Sequence, residues 1–251
     1  MKSLFLCDNC RLAETAKLCA ELGYGIEVQS FFDPEYIERN PDAIDIHHRA
    51  LENIGERALH GPFADLCPGS MDAMVRAVAR NRFEMAADIA HRLDISHIVL
   101  HHSYIPQTSR PDMWVARCTT FYRDFLKDKP PDMKYHLENF KEWDPILISE
   151  VISSVDDPRL DVCLDIGHVH CNARVKVPDW IRHLRGQIGY VHLHDNHGES
   201  DEHLGLGQGN IEMNVVCEAL NEFAPDAIWA IESEEAGFNQ SLEWLAANGF
   251  I

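Results

Sequence analysis

The amino-acid sequence predicts an α/β protein that folds as a single (β/α)8 TIM barrel, and three observations support this prediction. The chain has 251 residues, which is a usual length for one such barrel. Short apolar runs of strand length alternate with longer runs of helical periodicity, as in a parallel sheet built from βαβ units. Acidic and histidine side chains recur where those apolar runs end, and barrel enzymes carry their active sites there. We expect one domain that covers residues 1–251.

Eight strands are expected, which is the number that closes this barrel. Their predicted ranges are 3–7, 25–31, 57–62, 97–102, 134–139, 160–165, 188–194 and 227–232. The first is a short apolar run that stops at Cys7, too short for a signal peptide or a membrane span. No later run reaches membrane-spanning length, so we expect no membrane partner and, by default, a cytoplasmic location.

Helices are predicted between the strands, and the clearest covers residues 71–93. Its apolar residues recur at helical spacing, and Ser70 is the expected N-cap. The expected apolar stripe consists of Met74, Val75, Val78, Met85, Ala86, Ile89 and Leu93. The other predicted helices cover residues 11–22, 42–54, 113–127, 144–155, 178–185, 212–222 and 238–248.

The charge balance argues against a nucleic-acid partner. The sequence has 22 Lys and Arg residues against 41 Asp and Glu residues, which gives a formal net charge of -19. Such a field repels nucleic acids and anionic membranes at long range. Eight cysteines are scattered along the chain, and only Cys7 and Cys10 form a C-x-x-C pair. No second pair completes a tetrahedral zinc site, so we expect reduced, structural thiols.

Nine metal-capable side chains lie at the predicted strand ends or in the loops just after them. They are His60, His101, Glu138, Asp165, His168, His192, Asp201, His203 and Glu232. Crowded carboxylates would repel one another and resist ionisation, and a divalent cation would relieve that repulsion. The set therefore predicts a metal site. Glu27, on the second strand, is expected either to face the mouth of the barrel or to pair with a cation.

Two loops carry an acid and a histidine close together. Asp165 and His168 flank the turn at Gly167, and Asp201 and His203 follow the seventh strand. The second pair would either bind metal or hold its own loop in place. That loop also contains glycines that favour an active-site wall over a plain connector. Further histidines are expected to support the site or lie at the surface: His102, His136, His170, His194 and His197.

The ordered segments that carry these residues resemble the xylose isomerase-like TIM barrels. The segments are LHGPFADL, IVLHHSY, YHLENF, CLDIGHVH, YVHLHDN, SDEHLGLGQGNI and AIESE. The resemblance covers nearly the whole chain. This family includes sugar isomerases and epimerases together with the endonuclease IV type of apurinic endonuclease, so the resemblance implies the fold but not one activity.

The two branches of the family use the matching positions differently. In the epimerase branch, residues matching Glu138, Asp165, His192 and Glu232 hold one divalent metal, and the two glutamates also move the proton. In the endonuclease branch, residues matching all nine positions hold three zinc ions. Because this sequence fills all nine positions, the resemblance implies one to three ions of Zn, Mn or Co and leaves both branches open.

The favoured hypothesis is a metal-dependent isomerase or epimerase acting on a sugar or a sugar phosphate. Glu138 and Glu232 would transfer the proton, and His168 would stabilise the enediolate oxygen. Arg174 or Lys176 would bind a phosphate tail. Barrels of this kind usually assemble through helix faces, so a homo-oligomer stays open.

The alternative hypothesis is a zinc phosphodiesterase of the endonuclease IV type. Loops that grip a DNA backbone should be rich in Arg and Lys. Here the loop after the seventh strand reads HGESDEH, and the loop after the fourth strand has a single arginine, Arg110. Aromatic side chains near the mouth could wedge into DNA or stack on a sugar: Phe31, Phe32, Tyr36, Tyr104 and Trp114.

Overall fold

Eight parallel strands close into a barrel, as predicted. A computed structural model describes residues 2–107, 109–233 and 235–251, with the backbone alone for residues 235 and 236. Each strand pairs with the next along the chain, and the eighth pairs with the first. The strands are β1 Leu4–Cys7, β2 Gly25–Val28, β3 Arg57–His60, β4 His97–His101, β5 Lys134–Glu138, β6 Leu160–Asp165, β7 Ile188–Leu193 and β8 Ile228–Ile231.

Helices surround the barrel, and all eight predicted helices are present within four residues of their expected ends. They are α1 Leu12–Leu22, α2 Tyr36–Arg39, α3 Ala43–Leu51, α4 Ala73–Arg92, α5 Pro111–Leu126, α6 Ile146–Val155, α7 Ile166–Asn172, α8 Val177–Leu184, α9 Met213–Phe223 and α10 Glu235–Ala247. Two short helices, α2 and α7, were not predicted. None of the helices in the described part of the chain is long and apolar enough to cross a membrane.

Strand β2 ends three residues earlier than predicted, because the backbone N–H that follows it bonds to a side chain and not to a neighbouring strand. The backbone N–H of Gln29 donates to Asp8 Oδ1 at 3.0 Å, and the chain then turns into a 3₁₀ helix over Ser30–Phe32. Strand β3 ends at His60, two residues before Pro62, which has no N–H to donate to a neighbouring strand.

The start of α4 differs from the prediction in its cap and in its buried face. The N-cap is Asp72, whose carboxylate accepts the N–H of Met74 at 2.7 Å, so Ser70 is not the cap. Met74 and Val78 are 78% and 54% exposed. A helix turns about 100° per residue, so Val78 lies well around the axis from its buried neighbour Ala79. The buried face consists of Ala79, Phe83, Ala86, Ile89 and Ala90.

A small apolar cluster fills the barrel below its mouth. It consists of Phe5, Cys7, Ala58, Val99, Cys163, Tyr190 and Ala230. Side chains alternate along a strand, so the residue two positions beyond a member of this cluster points into the barrel one layer higher. Asp165 follows Cys163 in this way, and His192 follows Tyr190. The polar layer therefore lies on the apolar layer, at the carboxyl ends of the strands. All eight cysteines are free thiols.

Candidate metal centre

The structure brings all nine predicted side chains together in one cup at the mouth of the barrel. The first group within it comes from the adjacent strands β3, β4 and β5. The Nε2 atoms of His60 and His101 lie 3.1 and 3.0 Å from Glu138 Oε2. His60 Nδ1 lies 2.9 Å from the carbonyl of Gly61 and donates to it, so Nε2 is the nitrogen that donates to the carboxylate and that would bind a cation once deprotonated.

The central group of the cup consists of Glu138, Asp165, His192 and Glu232. One ligand atom from each lies within 4.8 Å of the others, and all four residues are buried. His192 Nδ1 lies 3.2 Å from Glu232 Oε2, 3.4 Å from Glu138 Oε1 and 3.7 Å from Asp165 Oδ2.

Two atoms of this central group are buried and have no hydrogen-bond partner among the residues that the structure describes: His192 Nδ1 and Glu232 Oε2. Buried polar atoms are almost always paired, so two orphaned atoms that face one centre need an explanation. An imidazole nitrogen and three carboxylate oxygens are suitable ligands for Zn²⁺ and, with more oxygen character, for Mn²⁺. The residues present therefore fit a divalent cation.

The third group lies on the loop that follows β7. His168 Nε2 and His203 Nε2 lie 3.1 and 3.0 Å from Asp201 Oδ2. His194, Asp201 and His203 also offer ligand atoms within 4.8 Å of one another. The ring of His194 stacks on that of His203, with centroids 4.2 Å apart, and its Nε2 lies 3.1 Å from Asp165 Oδ1.

His194 therefore joins the candidate ligands, although it was not among the nine residues predicted from the sequence. It lies two residues beyond His192 on the same face of the chain, so strand alternation was the signal that could have found it. Four other histidines were expected to support the site or to lie at the surface, and all four lie outside the three groups and have partners of their own. They are His102 with Glu142, His136 with Asp161, His170 with Asn210 and His197 with Glu202.

The expectation that crowded carboxylates resist ionisation is wrong for Glu138 and Asp165, because neighbouring histidines compensate their charge and lower the pKa of both. Burial by itself would raise the pKa of Glu138, but the charges of His101 and His192 bring that pKa well below its usual range. Burial lowers the pKa of His168, but the charge of Asp165 and a hydrogen bond to Asp201 raise it well above its usual value. Imidazolium charges thus balance the acids, and a cation must displace their protons to bind.

Asn139 is a site residue that was not predicted from the sequence. Its side-chain amide donates to the Asp165 carbonyl at 3.0 Å and accepts the Asp165 N–H at 2.9 Å, which ties the end of β5 to the end of β6. Its own carbonyl accepts from His168 Nδ1 at 2.9 Å. Asn139 directly follows Glu138 in YHLENF, but nothing in the sequence alone shows that the amide would reach the next strand.

The glycine-rich loop after β7 forms a wall of the cup, as predicted. Asp195 organises it, since its carboxylate accepts the backbone N–H groups of Asn196, Gly207 and Ile211. A Cβ atom on Gly209 would lie only 2.4 Å from Asp195 Oδ1, so a side chain there would disrupt this arrangement.

A cavity of about 270 Å³ opens beside the cup. Its lining consists of Asn9, Cys10, Gln29, Phe32, His60, Phe63 and Glu232. Phe63 stacks on His101 with centroids 4.5 Å apart, and Phe32 stacks on Phe63 at 5.9 Å. Of the aromatics considered from the sequence, Phe32 lines this cavity, whereas Phe31 and Trp114 are buried in the core.

Arg174 and Lys176 lie away from the cup. They line a separate groove of about 380 Å³ beside α7 and α8, and none of the nine predicted residues lines that groove. The guanidinium of Arg174 packs on the Trp143 ring, 3.3 Å from its centroid. Their expected role in holding a phosphate tail therefore has no support from their position.

Comparison with known proteins gives the family. A family model described as xylose isomerase-like TIM barrel matches residues 16–248. A relative from Methanocaldococcus jannaschii, itself uncharacterised, is 28% identical over 198 residues, which is 71% of this chain. The match spans 64% of that relative's own length.

Solved structures give the same fold. A D-tagatose 3-epimerase-like protein is 26% identical, with 99% of this chain and 97% of that chain covered and a TM-score of 0.80. A Thermus thermophilus protein, from a crystal soaked with ZnCl2, is 24% identical, with 98% and 97% covered and a TM-score of 0.78.

The solved neighbours include sugar epimerases. Two D-psicose 3-epimerases and an L-ribulose 3-epimerase match at 17% to 21% identity, with TM-scores of 0.71 to 0.73. The matches cover 92% to 98% of this chain and 84% to 86% of theirs, and at that identity they show the fold alone. The chain belongs to the xylose isomerase-like TIM barrel family.

Proposed function

We propose that this protein is a divalent-metal-dependent sugar isomerase or epimerase that moves a proton on the carbon next to a carbonyl. One observation carries the proposal: four buried ligand atoms of Glu138, Asp165, His192 and Glu232 share one centre, and two of them have no other partner. The 26% identity to a D-tagatose 3-epimerase-like protein, across nearly the full length of both chains, supports it.

The central group would hold the cation, which when bound would polarise a sugar carbonyl and acidify the neighbouring C–H bond. Glu138 and Glu232 reach the centre from β5 and from the end of β8, with β6 and β7 between them. Two carboxylates on different sides of a substrate suit an epimerisation, because one can remove the proton and the other can return one to the opposite face.

The two glutamates are held differently. Both oxygens of Glu138 lie within 3.4 Å of imidazole nitrogens, from His60 and His101 on one side and His168 and His192 on the other. Glu232 Oε1 accepts from Gln29 at 2.6 Å, while Glu232 Oε2 faces a single imidazole nitrogen, His192 Nδ1 at 3.2 Å, and has no hydrogen bond among the described residues. Glu232 has the oxygen with fewer contacts and also lines the open cavity, which makes it the better candidate for the first proton transfer.

His168 is assigned to the oxygen that becomes negative as the proton leaves. Its Nδ1–H donates to the Asn139 carbonyl at 2.9 Å, so Nε2 is the nitrogen directed toward Asp201. Burial lowers the pKa of His168, but Asp165 raises it well above its usual value, which keeps Nε2 protonated and able to donate. A charged donor in a buried site stabilises a developing oxyanion strongly.

A neutral ketose fits this cup better than a sugar phosphate. Phe32 and Phe63 offer an aromatic wall beside Glu232, and small-molecule sites often combine such apolar walls with a few polar groups. Neither lysine nor arginine is found among the described residues that line the cavity. The nearby loop after β7 adds the acids Glu199, Asp201 and Glu202. This charge would repel a phosphate group.

The experiment follows proton exchange at carbon. The purified protein, loaded with Mn²⁺ or Co²⁺, is incubated in D2O with a panel of neutral ketoses, and deuterium incorporation is followed by NMR. We expect exchange with at least one ketose. Glu232→Gln should slow that exchange by about 10²- to 10⁴-fold, the usual contribution of a general acid or base.

The matched control for Glu232→Gln is Glu142→Gln. Glu142 is also a buried glutamate beside a histidine, but it pairs with His102, outside the three ligand groups. This control should retain exchange within a few-fold of the wild-type rate. The proposal fails if the metal-loaded protein exchanges no ketose of the panel, or if Glu232→Gln exchanges as fast as the unaltered protein.

A second candidate, zinc-dependent phosphodiester hydrolysis, is favoured by one specific observation. The cup offers three groups of ligands: His60, His101 and Glu138; then the central group; then His194, Asp201 and His203. Three cations could therefore bind side by side, and multi-metal sites suit the displacement of a phosphate ester. Cleavage of a duplex that contains an abasic site, together with three zinc ions per chain, would favour this candidate over the first.

A further inference from the structure

Beneath the cup, β2 places the carboxylate of Glu27 inside the barrel, outside the three ligand groups described above, although its oxygen lies within 4.8 Å of ligand atoms of Cys7 and His192. Glu27 is 0% exposed, and Gln29, two residues further along the chain, is 8% exposed. Residues two apart on an extended chain point to the same side, so both side chains face the barrel interior. A buried carboxylate is costly unless it is paired and hydrogen-bonded, so the partners of Glu27 show what it does.

The partner of Glu27 is the histidine of the central group. His192 Nε2 lies 3.0 Å from Glu27 Oε2 and 3.2 Å from Oε1, on the side of the ring away from the other ligands. A carboxylate at this position accepts a hydrogen, so Nε2 keeps its proton, and Nδ1 is the nitrogen that offers a lone pair once a cation displaces the second proton of the ring. That Nδ1 is the orphaned atom 3.2 Å from Glu232 Oε2.

Gln29 extends the same network to the second glutamate. Its amide nitrogen donates to Glu27 Oε1 at 3.3 Å and to Glu232 Oε1 at 2.6 Å. An amide nitrogen only donates, and its two hydrogens suffice for these two contacts. One oxygen of Glu232 is thereby fixed, and the other is left facing His192 Nδ1.

We propose that Glu27, together with Gln29, is a positioning carboxylate of the metal centre. Glu27 selects the tautomer of His192 whose lone pair faces the cation, and Gln29 orients the carboxylate of Glu232 toward the same point. The His192 ring separates Glu27 from the cup, so Glu27 acts through its neighbours. This inference rests on the proposed metal site and not on the sugar chemistry.

The test measures metal affinity and the position of the ring proton, without a substrate. Protein stripped by a chelator is titrated with Zn²⁺ and with Mn²⁺ against a competing chelator. We expect Glu27→Met to bind each metal about 10- to 100-fold more weakly, as is usual when the partner of a ligating histidine is lost. The metal affinity of Glu27→Gln should lie between that of the unaltered protein and that of Glu27→Met, because its amide oxygen can still accept from Nε2.

Nitrogen NMR of the zinc-loaded, ¹⁵N-histidine-labelled protein gives a readout that a merely structural role would not change. In the unaltered protein, His192 should show a protected Nε2–H and a metal-bound Nδ1. In Glu27→Met that Nε2–H signal should be lost through exchange with water, or the proton should move to Nδ1.

The matched control is Glu142→Met, which removes a buried Glu–His pair that lies outside the ligand groups. Glu142 Oε1 lies 2.8 Å from His102 Nδ1, and both residues are buried. This variant should lower thermal stability about as much as Glu27→Met, yet keep metal affinity within about twofold because His102 belongs to none of the ligand groups. If Glu27→Met does not fold, the affinity is measured on Glu27→Gln, which changes the shape and volume of the side chain very little.

Three results would overturn the inference: unchanged metal affinity in both Glu27 variants, a proton on Nδ1 of His192 in the zinc-loaded unaltered protein, or a protein that binds no divalent metal. Failure of the proposed function looks different. In that case the protein binds metal and loses affinity in the Glu27 variants, but exchanges no ketose, and the inference stands.

Discussion

At the scale of single residues, the histidines of the cup carry protons that a metal ion must displace in order to bind. Burial lowers the pKa of His203, but its hydrogen bond to Asp201 and the charge of Glu232 raise that pKa to about 10. The ring therefore carries a proton at neutral pH when no cation is bound. Metal ligands must be deprotonated, so protons and cations compete for the same nitrogens.

Metal affinity should therefore rise with pH and release protons. Between about pH 6 and about pH 9 the His203 ring stays protonated in the metal-free protein. Each unit by which the pH rises should therefore increase the affinity of a cation for the group formed by His194, Asp201 and His203. Calorimetric titration with Co²⁺ in buffers of different ionisation enthalpy counts the protons released. His203→Gln should release fewer protons than the unaltered protein, and an affinity that does not change with pH would contradict this prediction.

At the scale of secondary-structure elements, the turn from β6 to α7 sets the spacing of the cup. Asp165 ends the strand and caps the helix, since its carboxylate accepts the N–H of His168 at 2.6 Å. Gly167 lies between them, where a Cβ atom would be only 1.9 Å from Cε1 of His194. The His194 ring is buried and stacked on His203, so it has little freedom to move aside.

Gly167→Ala should therefore damage both stability and metal binding. We expect a loss of about 1–3 kcal/mol in the free energy of unfolding, which is typical of overpacking in a core. Weaker metal binding should follow, because the displaced ring of His194 contacts Asp165. Denaturant titration in the presence of a chelator measures the first effect, and metal titration of the folded variant measures the second.

The control for this prediction is Gly186→Ala. A Cβ atom there would meet nothing within 4 Å, and the backbone needs no left-handed conformation. This variant should stay within about 0.5 kcal/mol of the unaltered protein. If both alanine variants are equally stable and bind metal equally well, the close approach of Gly167 to His194 has no energetic consequence.

The sequence predicts elements better than it predicts which of their faces are buried. The periodicity of apolar residues located α4 to within two residues, but Met74 and Val78 belong to its exposed side. Propensity and periodicity do not show where a neighbouring helix ends, so they cannot tell a packed turn from one in water. The shorter β2 has a similar cause, because the bond from Gln29 to Asp8 joins two different strands.

At the scale of the whole molecule, closure of the barrel explains why the sequence could predict which side chains meet at the mouth. Strands that follow one another in sequence also pair in space, so residues at successive strand ends must meet at one mouth. From that reasoning the sequence alone predicted that nine side chains lie close together. It could not find Gln29 or Asn139, because a side-chain amide that bridges two acids or two strands has no periodic signature in a sequence.

The net charge of -19 also acts at this scale. An acidic protein repels a DNA backbone at long range, whereas a divalent cation and a neutral sugar can approach its acidic mouth. The balance between the two candidate chemistries therefore depends on how many cations the cup holds. A single cation beside four carboxylates suits a neutral substrate, and three cations would offset that charge and suit a phosphodiester.

The most direct test of the central claim is the number of divalent ions bound per chain, measured by elemental analysis on purified protein before and after chelation and reloading. We predict at least one Zn, Mn or Co ion per chain, lost in a His192→Ala, Glu232→Gln double variant. Near one ion favours the sugar isomerase or epimerase, and near three zinc ions favours hydrolysis. A folded protein that binds none of these metals at any loading would contradict the account.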